Sequence, residues 1–292
     1  MVTAKQAYQT VKKQLEEAGV EDAGFDARWL LEGAANKSPF DTDELAESQW
    51  TALQAMARRR ASREPLQYIL GTWAFLDLEL AVGPGVLVPR PETEEVCLFA
   101  AGLLAEEPLP TIVDLCSGSG ALALGLQTRL PDAMVAAVEM DEAAYGYLLQ
   151  NIAAFAQGHA EVPVGVRADV LVWHRQVEDE TYDLIICNPP YVTGAEYARL
   201  APEVKAEPKI ALVPGGAADE NDGLVFYRAI ARDYRGKLRD GGALVFEIGA
   251  AQGGAVRDIL AQNGYEDIEV RQDMAGHDRI AWGRRPLPPH VD

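Results

Sequence analysis

The residues best suited to chemistry stand together at Asn188-Pro189-Pro190-Tyr191. Two successive prolines remove two backbone donors and hold Asn188 out of the helical region, so the carbonyls there lack ladder partners and can face a ligand. The Asn188 side-chain oxygen can accept one hydrogen of a planar NH2 group, and a neighbouring proline carbonyl can accept the other. Tyr191 can then lie against the flat face of the group. A strand that simply ends in a proline-rich turn, with Asn as turn former, would show the same four residues. What surrounds them separates the two readings.

Leu184 to Cys187 is a short apolar run with β-branched residues, which reads as a buried parallel strand ending at Asn188. Open α/β sheets place their ligands at the carboxyl ends of such strands. The stretch Asp114-Leu115-Cys116-Ser117-Gly118-Ser119-Gly120-Ala121 runs from a strand through a small-residue loop into a helix. Small residues let the backbone approach a ligand closely, with the loop amides pointing at it. Gly118-x-Gly120-x-x-Ala123 also satisfies the dinucleotide pattern, so this loop alone does not separate NAD from other adenosine cofactors. Glu139, at the end of the next strand, is placed to accept bonds from two ribose hydroxyls, although an exposed strand-end acid would look the same. Asp169 could meet an adenine amino group or be an ordinary turn residue. Asn188-Pro189-Pro190-Tyr191 decides between cofactors: a hydride enzyme has no need of a double acceptor for NH2 there, whereas methyl transfer from a sulfonium to nitrogen does.

These loops need a frame. Residues 3 to about 70 are rich in helix formers, with Ala7, Val11, Leu15 and Ala18 at helical spacing. Further helices are expected over Phe25 to Ala34, opened by Asp22 or a neighbour, and over Asp43 to Ala61, with Leu45, Trp50, Leu53 and Met56 inward. From Leu66 to Pro89 the period changes to two: Leu76, Leu78, Leu80 and Val82 alternate, Gly83-Pro84-Gly85 turns, and Val86 to Val88 return, predicting a β-hairpin. Pro91, with Glu92, Glu94 and Glu95 behind it, opens a helix. The rest alternates strand and helix in the manner of a doubly wound α/β domain. Strands are expected at Thr111 to Leu115, Met134 to Val138, Val164 to Arg167, Leu184 to Cys187 and Ala243 to Glu247, with a helix from about Leu224 to Leu238. Tyr265 to Val270 and Arg279 to Trp282 close the sheet as an antiparallel pair. The predicted domains are a helical one over 1–72, a hairpin linker over 73–90, an α/β domain over 91–285, and a loose tail over 286–292.

The 292 residues bury enough surface to need no covalent staples. With 26 basic against 45 acidic residues, a net charge of -19 disfavours a nucleic acid partner. The one dense basic run, Arg58, Arg59, Arg60 and Arg63, is read as a solvated helix face. Three cysteines without CxxC spacing and four scattered histidines indicate neither a disulfide framework nor a metal site. No apolar run reaches about 18 residues, so no membrane segment is expected and the default location is the cytoplasm.

With Asn188 to Tyr191 in place, the chain resembles the PrmC/HemK family, the peptide chain release factor glutamine methyltransferases. Further stretches carry the resemblance: Arg63-Glu64-Pro65-Leu66-Gln67-Tyr68-Ile69-Leu70-Gly71, Val86-Leu87-Val88-Pro89-Arg90-Pro91-Glu92-Thr93-Glu94, Glu207-Pro208 and Asp222-Gly223-Leu224. It implies a seven-strand Rossmann-like methyltransferase domain behind a small all-α domain and a β-hairpin linker, with S-adenosylmethionine as cofactor. The implied substrate is the Gln of a release factor Gly-Gly-Gln tip. By position, Cys116, Ser117, Gly118, Ser119 and Gly120 would lie along the methionine part of the cofactor, Glu139 on the ribose, and Asp169 and Val170 beside the adenine. Asn188, Pro189, Pro190 and Tyr191 would hold the glutamine amide, with Asn188 and Pro189 catalytic and Asn188 also near the cofactor. The helical domain would recognise the substrate, and a monomer is expected. Cys116 stands where the family loop usually has Gly, and Val170 where some members have an aromatic. An amino-methyltransferase of DNA or RNA, a ribosomal-protein glutamine methyltransferase and a non-enzymatic adaptor are the rival readings. The charge, the Arg-Glu-Pro-Leu-Gln-Tyr and Arg-Pro-Glu-Thr-Glu stretches, and the intact clamp speak against them in turn.

Overall fold

The computed structural model describes residues 2–215 and 222–288; the last four residues of the expected tail, 289–292, lie outside the described residues. The chain divides into two compact units, one of residues 1–73, 82–84 and 200–207, the other of 74–81, 85–199 and 208–292.

In the first unit, helices span Ala4–Glu17, Ala23–Ala35, Glu47–Ala61 and Leu66–Leu70. Thr3 starts the first with a reciprocal cap: its hydroxyl accepts from the Gln6 amide, and the Gln6 side chain accepts from the Thr3 amide. Val11, Leu15, Leu30, Leu31 and Leu53 interlock in the core, each buried leucine contributing roughly 1.5–3 kcal/mol. The helix expected from Asp43 begins instead at Glu47. The amide of Ala4 donates to the Asp43 carbonyl and that of Leu45 to the Val2 carbonyl, so 43–45 is held extended against the N-terminal segment. In the Arg58 to Arg63 run, Arg58 and Arg59 are exposed as a solvated face requires, but Arg60 and Arg63 are not part of one. Arg60 is buried, its guanidinium 2.6 Å from Asp26 and 2.8 Å from Glu203, while Arg63 forks onto both Glu203 oxygens at 2.7 and 2.8 Å. A buried guanidinium keeps its charge only when its donors are matched in this way.

The hairpin falls earlier than its period-two pattern suggested. Strands β1 (Thr72–Phe75) and β2 (Leu78–Ala81) pair across Leu76-Asp77, Leu76 taking a left-handed φ of 50°. Val86 to Val88 form no strand; Val86 and Val88 are buried in an irregular segment. Beyond the Pro91–Leu103 helix, the second unit is one seven-stranded sheet: β3 Thr111–Leu115, β4 Met134–Glu139, β5 Val164–Arg167, β6 Tyr182–Cys187, β7 Leu238–Glu247, β8 Glu266–Gln272 and β9 Asp278–Arg284. Its order is β5-β4-β3-β6-β7-β9-β8, parallel except that β9 runs antiparallel to both β7 and β8. Strand alternation supplies two cores. Ile112, Leu184 and Ile186 face one layer with Leu124 and Leu126, whereas Val113, Leu115 and Ile185 face the other with Tyr227, Ile230 and Leu260. The expected helix from Leu224 to Leu238 is shorter, Val225–Asp233, followed by a 3-10 turn and an earlier start to β7.

Chain order reverses between β3 and β6, since β4 and β5 build outward on one side and β7 on the other. Leu115 and Cys187 are register partners at that point. The loops that follow them therefore leave the sheet side by side, at the switch point where such sheets bind ligands. Among the described residues no helix is long and apolar enough to cross a membrane.

Candidate active site

The loop after β3 is tight because its backbone is committed. The Ser117 amide donates to the Val138 carbonyl at 3.0 Å and the Gly120 amide to the Ser117 carbonyl at 2.8 Å. Gly120 has φ 86°, and a β-carbon there would come within 2.6 Å of Leu148 Cδ1, so only glycine lets the next helix, Ala121–Arg129, start here. Cys116 adopts φ 61°, the left-handed region that glycine enters freely and that costs a side-chain-bearing residue of the order of 1–2 kcal/mol. Asn151 braces the turn: its Nδ2 donates to the Ser119 carbonyl at 2.9 Å and the Ala81 carbonyl at 3.1 Å, while its Oδ1 accepts from the Ala81 amide at 2.7 Å.

Two carboxylates stand beside this loop. Glu139 ends β4, with Oε2 accepting from the Gly118 amide at 2.9 Å and Oε1 from the Asp141 amide at 2.8 Å. Burial raises its pKa, and these amide bonds only partly counter it. A carboxylate has about four lone-pair sites, so two remain for hydroxyl donors. Asp114, inside β3, is buried, and its Oδ2 accepts from the Ala123 amide at 3.2 Å. Its Oδ1 is buried without a hydrogen-bond partner among the described residues. Burial pushes the Asp114 pKa up to about 7, against the lowering effect of the Ala123 amide; the Ser117 hydroxyl nearby donates to the Asp114 main-chain carbonyl at 2.8 Å. An orphaned carboxylate oxygen of this kind matches an ammonium, and sequence reasoning had not placed Asp114 in the site. Its signal was a lone acid inside an otherwise apolar strand.

A cavity of about 100 Å³, open at its mouth, lies over these groups. Of the sequence-predicted residues, Cys116, Ser117, Gly118, Ser119, Glu139, Val170, Asn188 and Pro190 line it. Asn188 is half-buried, and its carboxamide makes no side-chain hydrogen bond among the described residues. Arg90, Thr93 and Phe226 join the wall, the Thr93 hydroxyl donating to Glu247 Oε2 at 2.6 Å. Gly120, Asp169, Pro189 and Tyr191 lie off it. Asp169 caps the Val170–Trp173 turn by accepting from the Leu171 amide. Tyr191 packs against the core layer of Tyr227 and Phe246, where burial pushes its hydroxyl up to about 12.

An ammonium partner, a hydroxyl partner and an apolar wall at Val170, Ala168 and Phe226 suit the methionine, ribose and adenine parts of S-adenosylmethionine. The sheet order and this cavity define a methyltransferase that uses that cofactor. Residues 6–71 match the family model described as PrmC N-terminal domain, and residues 98–218 match the methyltransferase small domain. A release factor glutamine methyltransferase of Cereibacter sphaeroides is 37% identical over 97% of this chain and 99% of its own. One from Geobacter sulfurreducens is 35% identical with the same coverage. A solved methyltransferase of Pyrococcus furiosus, 16% identical, shares the fold over 80% of this chain and 98% of its own, with a TM-score of 0.51. The chain belongs to the release factor glutamine methyltransferase family.

Proposed function

We propose that this enzyme methylates the side-chain amide nitrogen of the glutamine in the Gly-Gly-Gln tip of bacterial peptide chain release factors, acting as a cytoplasmic monomer. The observation that carries this reading is the position of Asn188 on the wall of the cavity that Asp114 and Glu139 also line. In this reading Asp114 holds the cofactor ammonium, Glu139 the ribose, the Cys116 to Gly120 loop the methionine part, and Val170, next to Asp169, the adenine. When bound, S-adenosylmethionine would supply a sulfonium methyl group that a nitrogen nucleophile can attack, the neutral thioether being the leaving group.

An amide nitrogen is a poor nucleophile, because its lone pair is delocalised into the carbonyl. The protein must therefore act chiefly by placement. Asn188 accepts one amide hydrogen and the Pro189 carbonyl the other, which fixes the NH2 and makes its nitrogen more electron-rich. Pro190, on the cavity wall, shapes the slot around it. Holding two reactants in a near-attack geometry supplies roughly 7 to 11 kcal/mol of barrier reduction. No strong base is needed, since the methylated nitrogen is acidic enough to lose a proton to water. The net charge of -19 counts against a nucleic acid substrate for the same clamp.

Incubation with methyl-labelled S-adenosylmethionine and either a bacterial release factor or its Gln→Ala tip variant tests the proposal. Label is expected on the first and absent from the second. Equal labelling of both, or of neither, would overturn it.

A further inference from the structure

We infer that Gln252 is a positioning residue for the amide clamp, acting through the carbonyl of Tyr191; the inference rests on the function proposed above. Gln252 immediately precedes the Gly253–Gln262 helix. Its Nε2 donates to the Tyr191 carbonyl at 3.2 Å. Its Oε1 accepts from the Gly249 amide at 3.0 Å and faces the Tyr227 hydroxyl at 3.3 Å, which also donates to the Glu247 carbonyl at 3.0 Å. The orientation of the amide is thereby fixed, because a flipped Gln252 would set its NH2 against the Gly249 N–H.

Two glycines make room for this contact. A β-carbon at Gly249 would stand 2.9 Å from Gln252 Oε1 and 3.3 Å from Tyr191 Cδ2. At Gly223, whose φ is 76°, it would overlap the Tyr191 carbonyl oxygen and stand 2.6 Å from Gln252 Nε2. Backbone from two separate loops is thus kept bare where it meets the end of Asn188-Pro189-Pro190-Tyr191. That span has little freedom of its own. Cys187 is held in the sheet, the prolines fix two φ angles, and Gln252 holds the far end. With both ends pinned, the direction of the Asn188 carboxamide is set, so a group that never lines the cavity governs the clamp inside it.

The Gln252→Glu variant separates this role from general support. It keeps an acceptor for Gly249 and Tyr227 but sets a carboxylate oxygen, in place of a donor, against the Tyr191 carbonyl. Expected is a loss in kcat on a release factor of roughly 10- to 100-fold, the scale of a small misplacement of reacting groups. The melting temperature and the dissociation constant for S-adenosylmethionine should stay near wild type. The rate relative to wild type should recover as pH falls, because the variant's carboxyl group, once protonated, can again donate. Glu247, Tyr191, Tyr227 and Arg279 also bear charge or titrate around this cluster, and taking the ratio to wild type at each pH cancels their contribution. Gln252→Met, which lacks all three bonds, should lose kcat without that recovery. Wild-type kcat in Gln252→Glu would overturn the inference and leave the proposed function standing. Parallel loss of melting temperature, cofactor affinity and kcat, with no recovery at low pH, would assign Gln252 a structural role and overturn it as well. Failure of the wild-type protein itself to methylate a release factor would overturn both.

Discussion

Asp114→Asn should make the cofactor-free protein more stable and the cofactor bind more weakly, two effects that rarely come together. The stability effect comes from linkage. Burial lifts the folded-state pKa from 3.8 to about 7, so between those values the folded state holds a proton that the unfolded state has released. Stability therefore falls as pH rises through this window, and the penalty is fully present above about pH 7. A shift of roughly three units corresponds to about 4 kcal/mol there and to less than half of that near pH 5. A neutral Asn at this position carries no such penalty. The affinity effect has the opposite sign, because the unpartnered Oδ1 is the group offered to an ammonium. Hydrogen bonds to charged groups contribute about 1.5–3 kcal/mol, so the dissociation constant should rise roughly 10- to 100-fold. Wild-type affinity should also fall as pH drops below about 7, a dependence the variant should lack. Thermal melts of the cofactor-free proteins near pH 8 and pH 5, with calorimetric titration of S-adenosylmethionine, check both halves. A variant that melts lower than wild type near pH 8, or that binds the cofactor equally well, would refute the reasoning.

Gly120→Ala should destabilise the second unit by roughly 2–4 kcal/mol, from left-handed strain plus collision with Leu148, as read from a denaturant midpoint. Asn151→Ala should weaken cofactor binding by roughly 10-fold in an equilibrium titration, because the Ser119 carbonyl and β2 lose their common brace. Glu203→Gln should cost about 1–3 kcal/mol at neutral pH by breaking the bonds to Arg60 and Arg63. Burial alone would raise the Glu203 pKa, but those guanidinium bonds outweigh it and hold it at about 2. Its contribution is thus present above the ordinary value of 4.5 and lost as pH falls through about 2, so acid melts of wild type and variant should converge there.

The strands were legible because each is a short apolar run bounded by turn residues, and β3 and β5 fall on their expected boundaries. The loop after β3 was legible because small residues at a strand end serve one purpose. The hairpin was misplaced because its turn uses Leu76-Asp77, residues with no turn signature, while the glycine-rich stretch after it turns the chain without starting a strand. Arg60 looked solvated because its acceptors, Asp26 and Glu203, lie far from it in sequence. Asp169 and Tyr191 show a different limit. Their residue types suit a ligand, yet a helix cap and a core contact claim them. Glu247, Gln252 and Gly223 became meaningful only when β7 and the loop before the Val225–Asp233 helix were placed against Tyr191.

The most direct test of the clamp is Asn188→Ala, compared with wild type by single-turnover methylation of a release factor alongside titration of S-adenosylmethionine. The acceptor strengthens as positive charge grows on the nitrogen, so the rate should fall by roughly 100- to 1,000-fold while cofactor affinity changes little. A rate near wild type, or a loss of affinity equal to the loss of rate, would contradict the account.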